Sequence, residues 1–170
     1  MFDQQDKHEY QDIDFHLDEY LAQVQSKGAV EQQGILVLPT ENWRKTGATV
    51  FMPETFSFVK WVRQNDAIGN RVNVATLEES KTADLRSIDY WFPLVYLFSD
   101  VSLQIYLNMV ANYLYDRLKG ALQSDKHTVD LEVLTEDKKA GRVKKFSYHG
   151  SYDGLKEIIK KIDVNEFMEK

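Results

Sequence analysis

Residues 90–118 form the most apolar stretch of the chain, and from Trp91 to Val110 the only charge is Asp100. A run of this kind can cross a membrane, cover a partner, or serve as the central element of a core. A membrane span needs ~20 predominantly apolar residues, and an aspartate at mid-bilayer costs about 2.5 to 3.5 kcal/mol. Pro93, Asp100, Gln104 and Asn108 all fall inside the window, so a core helix is the reading adopted. Ser99 and Asp100 supply an N-cap for a helix from Val101 onward, which leaves residues 93–98 as a short turn. Gln104, Asn108, Asn112 and Asp116 recur every four residues as one polar stripe. Leu103, Leu107, Val110, Leu114 and Leu118 line the other side, the pattern of a mostly buried helix. Tyr106 and Tyr113 lie beside the leucines, seven apart, and are candidates for an interface with another chain.

The 170 residues are 43% hydrophobic and 28% charged, enough to build one domain with its own core and far from a disordered composition. With no cysteine, disulfides and thiolate chemistry are excluded, and a reducing cytoplasm is the expected setting. The start is polar and acidic without a secretory signal pattern, so residues 1–13 are expected to form a flexible acidic lead. A net charge of −6 argues against a nucleic-acid partner, which requires concentrated basic surface. That average hides a gradient. Residues 1–31 hold eight acids against two lysines, and residues 138–161 hold eight bases against two acids. Two readings stay open: solvated faces that differ, or ends that attract within one chain or between copies.

The remaining pattern gives an α+β chain. An amphipathic helix starts near Asp14, with Leu17, Tyr20, Leu21 and Val24 on one face and Gly28 at its end. Residues 35–38 and 49–52 are short apolar runs bounded by glycine and proline, as buried strands are. Pro53 opens a helix with Phe56, Val59, Val62 and Trp61, and residues 71–76 alternate as a strand. Residues 77–89 are charged and weakly patterned, as a long loop is. Residues 128–135 and 143–149 then form a hairpin, with Val129, Leu131 and Val133 opposing Phe146 and Tyr148. A helix capped by Ser151 or Asp153 follows, burying Leu155, Ile158, Ile159 and Ile162. The expected architecture is a small mixed sheet packed against a long apolar helix, closed by the hairpin and its amphipathic helix, in a single domain of residues 1–170.

Four segments carry a resemblance: Phe58-Val-Lys-Trp-Val-Arg63, Tyr113-Leu-Tyr-Asp-Arg-Leu118, Thr128-Val-Asp-Leu-Glu-Val133 and Gly154-Leu-Lys-Glu-Ile-Ile159. Over roughly its last two thirds the chain resembles the effector-associated constant component domains of bacterial conflict systems. The resemblance implies an accessory, phage-defence-related module beside an effector, with no catalytic site to carry over. The N-terminal region departs from that pattern.

Catalytic constellations fail on spacing. His8, His16, His127 and His149 include no pair three or four apart, so no helical metal pair exists. His127 falls on the Val129 face of its strand and His149 on the opposite face, so both are expected as solvated strand-end side chains. Glu79-Ser-Lys81 and Glu136-Asp-Lys138 have the acid-x-lysine spacing of restriction-type nucleases, but in a loop and a turn. No Gly-x-Gly occurs, and no cofactor is expected. Residues 39–47 present Trp43 and Arg44 together between two strands, and these residue types anchor interfaces. Trp43 capping the core is the alternative there. The sequence thus points to a non-catalytic interaction or regulatory component working through a protein partner or homo-oligomer. The other class in play is a small metal-dependent hydrolase or nuclease using Asp and Glu carboxylates.

Overall fold

A computed structural model describes residues 7–23, 33–40, 50–65, 72–75, 81–82, 90–98, 100–118, 128–137 and 142–162. In chain order these form β1 (Lys7–Ile13), α1 (Leu17–Gln23), β2 (Ile35–Leu38), β3 (Val50–Phe51), α2 (Thr55–Asn65) and β4 (Val72–Val74). They continue with β5 (Lys81–Thr82), β6 (Tyr90–Leu97), α3 (Leu103–Leu118), β7 (Thr128–Asp137), β8 (Arg142–Ser151) and α4 (Tyr152–Lys161). The fold is α+β, built on a mixed sheet of order β1-β8-β7-β6-β2-β4, with β3 and β5 as a separate parallel pair.

Two crossovers organise the centre. β2 runs parallel to β4 across α2, β6 runs parallel to β7 across α3, and β2 and β6 are antiparallel neighbours. Their partners lie on opposite sides, so right-handed crossovers place α2 and α3 on the same face of the sheet. Both helices, with α4, pack there in one core with Val37, Val95, Val133 and Phe146. Phe58 of α2 is its aromatic hub, with ring centroids 5.3 Å from Phe92 and Tyr113 and 5.9 Å from Tyr106, all near edge-on.

The apolar stretch divides differently from its expected plan. Residues 90–97 are the central strand β6, not a turn before the helix, because a strand covered on both faces has no polar alternation to display. Pro93 sits where the register with β7 shifts between Trp91 and Leu94, an interruption of the ladder that tolerates a residue without an N–H. The helix begins at Leu103, and the hydroxyl of Ser102 accepts the Ile105 N–H at 3.1 Å. Asp100 caps a different segment: its carboxylate accepts the Gly34 N–H at 2.9 and 3.1 Å. Gly34 holds φ at 76°, a conformation glycine adopts freely, and its carbonyl accepts from Phe98 at 3.1 Å. The end of β6 is thereby tied to the start of β2. On α3 the polar stripe Gln104, Asn108, Asn112 and Asp116 is exposed, as its period requires.

The expected flexible lead also needs correction, since residues 7–13 form β1, paired antiparallel with β8 over seven consecutive positions. Apolar periodicity is weak there because β1 is an edge strand with mostly exposed side chains. What holds it is β8. Tyr10 lies 5.3 Å from the Phe146 ring, and Asp12 meets Arg142 at 3.4 Å and Lys144 at 4.0 Å. The opposite charges of the two chain ends meet, in this contact, within one chain. In α2, Phe58 takes the core position and Phe56 is 50% exposed. The hairpin and final helix follow the expected plan, with Ser151 as the cap accepting from the Gly154 N–H at 2.9 Å.

Candidate functional site

Strand alternation gives the sheet a second face, opposite the three helices. One end of it is apolar, where Leu36, Leu38, Tyr96, Leu134 and Val143 are buried beneath Phe15, Leu17 and Tyr20 of the α1 region. The Tyr20 hydroxyl donates to the Pro39 carbonyl at 2.5 Å and fastens α1 in place. The other end is open, and there the same strands present polar side chains around a hollow of about 710 Å³.

The registers align those side chains in rows. Trp91 lies opposite Asp130, Asp130 opposite His149, and His149 opposite Lys7, so one row crosses β6, β7, β8 and β1. Four strands at about 4.8 Å spacing make that row about 14 Å long. The next row runs Leu94, Glu132, Ser147 and Glu9. Within the hollow the charges pair across β7 and β8. Nδ1 of His149 meets Oδ1 of Asp130, which fixes the imidazole and leaves Nε2 as the nitrogen available to an entering group. Lys145 Nζ reaches Glu132 at 2.6 Å on the diagonal of the ladder. Asp130 is 16% exposed and His149 49%, so the acid forms the floor and the imidazole the rim. Met52 and Thr40 contribute to the lining beside Trp91.

The arrangement can accept hydrogen-bonding and aromatic groups, and it has one histidine oriented by a carboxylate. It has no metal centre in reach: among the described residues no group of three or more His, Asp or Glu could hold a metal ion. Of the acid-x-lysine motifs, Glu79 and Lys138 lie outside the described residues, and Glu136 accepts from the Tyr96 hydroxyl at 3.0 Å. Burial and that contact push the Tyr96 hydroxyl well above its ordinary value.

The candidate interface residues fall elsewhere. Trp43 and Arg44 lie outside the described residues. Tyr106 and Tyr113, the interface candidates on α3, are 0% and 1% exposed inside this chain's own core. They sit on the inner side of α3 because the Phe58 ring of α2 and Phe92 of β6 fill the space beside them. The Tyr113 hydroxyl reaches the edge of that core and donates to Glu54 at 2.5 Å. No helix among the described residues is long and apolar enough to cross a membrane.

Sequence reading placed His149 on the correct face, opposite Val129, Leu131 and Val133, but gave it no partner. The signal was present in the hairpin, since parity that opposes Val133 to Phe146 also aligns Asp130 with His149. Trp91 carried no such signal, because its face depends on the register shift around Pro93. No family model matches the chain, and no curated protein or solved structure matches it either.

Proposed function

We propose that this protein is a non-catalytic binding component that engages a partner protein through the open end of its sheet. The observation that carries the reading is the hollow itself: a concave surface, with Trp91 at one side, whose carboxylates Asp130 and Glu132 are already engaged by His149 and Lys145. Charges paired in advance lose little freedom when a partner docks, and tryptophan is enriched among the residues that dominate binding energy. The metal-dependent hydrolase reading needs converging carboxylates, and Asp130 and Glu132 are turned to bases across the strands instead. The resemblance to accessory modules of bacterial conflict systems supplies the setting in which such a component would work.

The test is affinity capture from the native host with wild-type protein, Trp91→Ala and Lys145→Glu, alongside Gln104→Lys on the far surface of α3. A protein held by the wild type and by Gln104→Lys, but lost from both hollow variants, supports the reading. One retained equally by all four sinks it. Purified protein is assayed in parallel for hydrolysis of phosphate and carboxyl esters with and without Mg²⁺ or Mn²⁺. Turnover abolished by His149→Ala would replace the binding role with catalysis.

A further inference from the structure

The sheet ends in two edge strands of unlike character. β4 has three residues, too few to template a partner strand. β1 has seven, and among the described residues it pairs with β8 alone, in a register without a bulge. Natural edges are blunted by shortness, bulges, proline or charge. Among the described residues β1 keeps only charge, so the order of its charges decides what it can pair with.

That order is self-complementary in one register. Antiparallel pairing with a second copy, centred on Tyr10, sets Tyr10 opposite Tyr10, Glu9 opposite Gln11, His8 opposite Asp12 and Lys7 opposite Ile13. Centring on Glu9 would oppose two glutamates, and centring on Gln11 would set Tyr10 against Asp12. Pairing at an intermediate half-step would turn the helical face of one copy against the open face of the other. In the Tyr10 register both faces continue across the junction, and the two tyrosines extend the existing Tyr10–Phe146 contact. Cross-strand pairs of opposite or neutral polarity stabilise such a ladder, while like charges directly opposite oppose it.

We propose that β1 is a self-association edge, through which two copies of this chain join antiparallel about a two-fold axis at Tyr10. The contact uses the outer backbone of β1, so it stands apart from the binding role of the hollow. It also puts the two hollows on the same face of one continuous sheet, each bordered by the Lys7 and Glu9 of its own copy. A seven-residue strand pair is small beside the ~1,000 Å² of a stable interface, so association is weak and reversible, with a midpoint on the order of 100 µM.

Sedimentation equilibrium from about 10 µM to about 1 mM tests this on the intact protein and four variants. Gln11→Lys places a cation opposite each Glu9 and is expected to tighten the dimer about tenfold, while Gln11→Glu loosens it by a similar factor. Inside one chain Gln11 lies opposite Lys145, so the same substitutions act on the docking of β1 in the reverse sense. A loss of dimer through poor folding would therefore give the opposite order. The double variant Glu9→Lys with Gln11→Glu restores a cross-strand pair and recovers association. Gln104→Lys, with the same change in net charge on α3, leaves the midpoint where it was. The proposal is overturned if wild type and Gln11→Lys stay monomeric throughout, if the Gln11 order is reversed, if the double variant stays as weak as Gln11→Glu, or if Gln104→Lys tightens association equally.

Discussion

The two faces of the sheet are made by the same strands and behave as different materials. On the helical face Val95, Val133 and Phe146 meet α2, α3 and α4 in a dry aromatic core. On the other face the neighbours of those residues, Leu94, Glu132 and Lys145, are covered by α1 at one end only and open into the hollow at the other. Strand alternation makes such a division inexpensive, since one register serves packing and recognition at once. What the difference teaches is where substitution is tolerated. The helical face carries stability, and the open end can vary its chemistry with little effect on the fold.

The largest effect that would test this division is Phe58→Ala, which removes a ring touching Phe92, Tyr106 and Tyr113 and should cost about 3 to 5 kcal/mol in denaturant unfolding. Glu9→Ala, an exposed position on the open face, should leave stability within about 0.5 kcal/mol. Equal losses at the two sites would break the comparison. Alkaline pH is the next probe. Burial raises the hydroxyl pKa of Tyr106 and Tyr113 on the helical face, and of Tyr96 on the other, above the ordinary tyrosine value near 10. A group raised on folding contributes stability that is full below its unfolded value and is lost as pH climbs above it. The denaturation midpoint should therefore hold to about pH 10 and fall beyond it, with up to about 1.4 kcal/mol per pH unit from each such group.

Asp100→Ala removes the acceptor for Gly34 between the two crossovers and should cost about 1 kcal/mol, read as a shift in thermal midpoint. Glu132→Ala breaks an exposed pair and should change stability by under about 0.5 kcal/mol. Smallest of all is Tyr106→Phe. Among the described residues the Tyr106 hydroxyl is buried without a hydrogen-bond partner, so its loss should be neutral or slightly stabilising at pH 7 and should soften the alkaline decline. A loss above about 1 kcal/mol at neutral pH would show that the hydroxyl is satisfied after all.

Legibility in the sequence followed the kind of force involved. β2, the hairpin and α4 were readable because local periodicity and caps specify them: Ile35–Leu38 is a bounded apolar run, and Ser151 precedes a helical stripe. Residues 90–97 misled because a strand buried on both faces and a buried helix show the same unbroken hydrophobicity. β1 was hidden for the opposite reason. Its stability comes from a ladder with residues more than a hundred positions away and from Asp12 meeting Arg142 and Lys144, which no local window contains. Half of the candidate site was legible: hairpin parity put His149 on the open face, but Trp91 and Lys7 joined its row only through the strand order.

By itself the sequence determined that this chain folds as α+β, that the 90–118 region is interior, and which faces of the hairpin and last helix are apolar. These follow from side-chain periodicity and composition, which act over a few residues. Tertiary structure alone decided that the first eight residues of the interior stretch are a strand, that Tyr106 and Tyr113 are buried within one chain, and that an acidic start pairs with a basic end. Each of those depends on which distant segment lies alongside, and only the assembled sheet selects that neighbour.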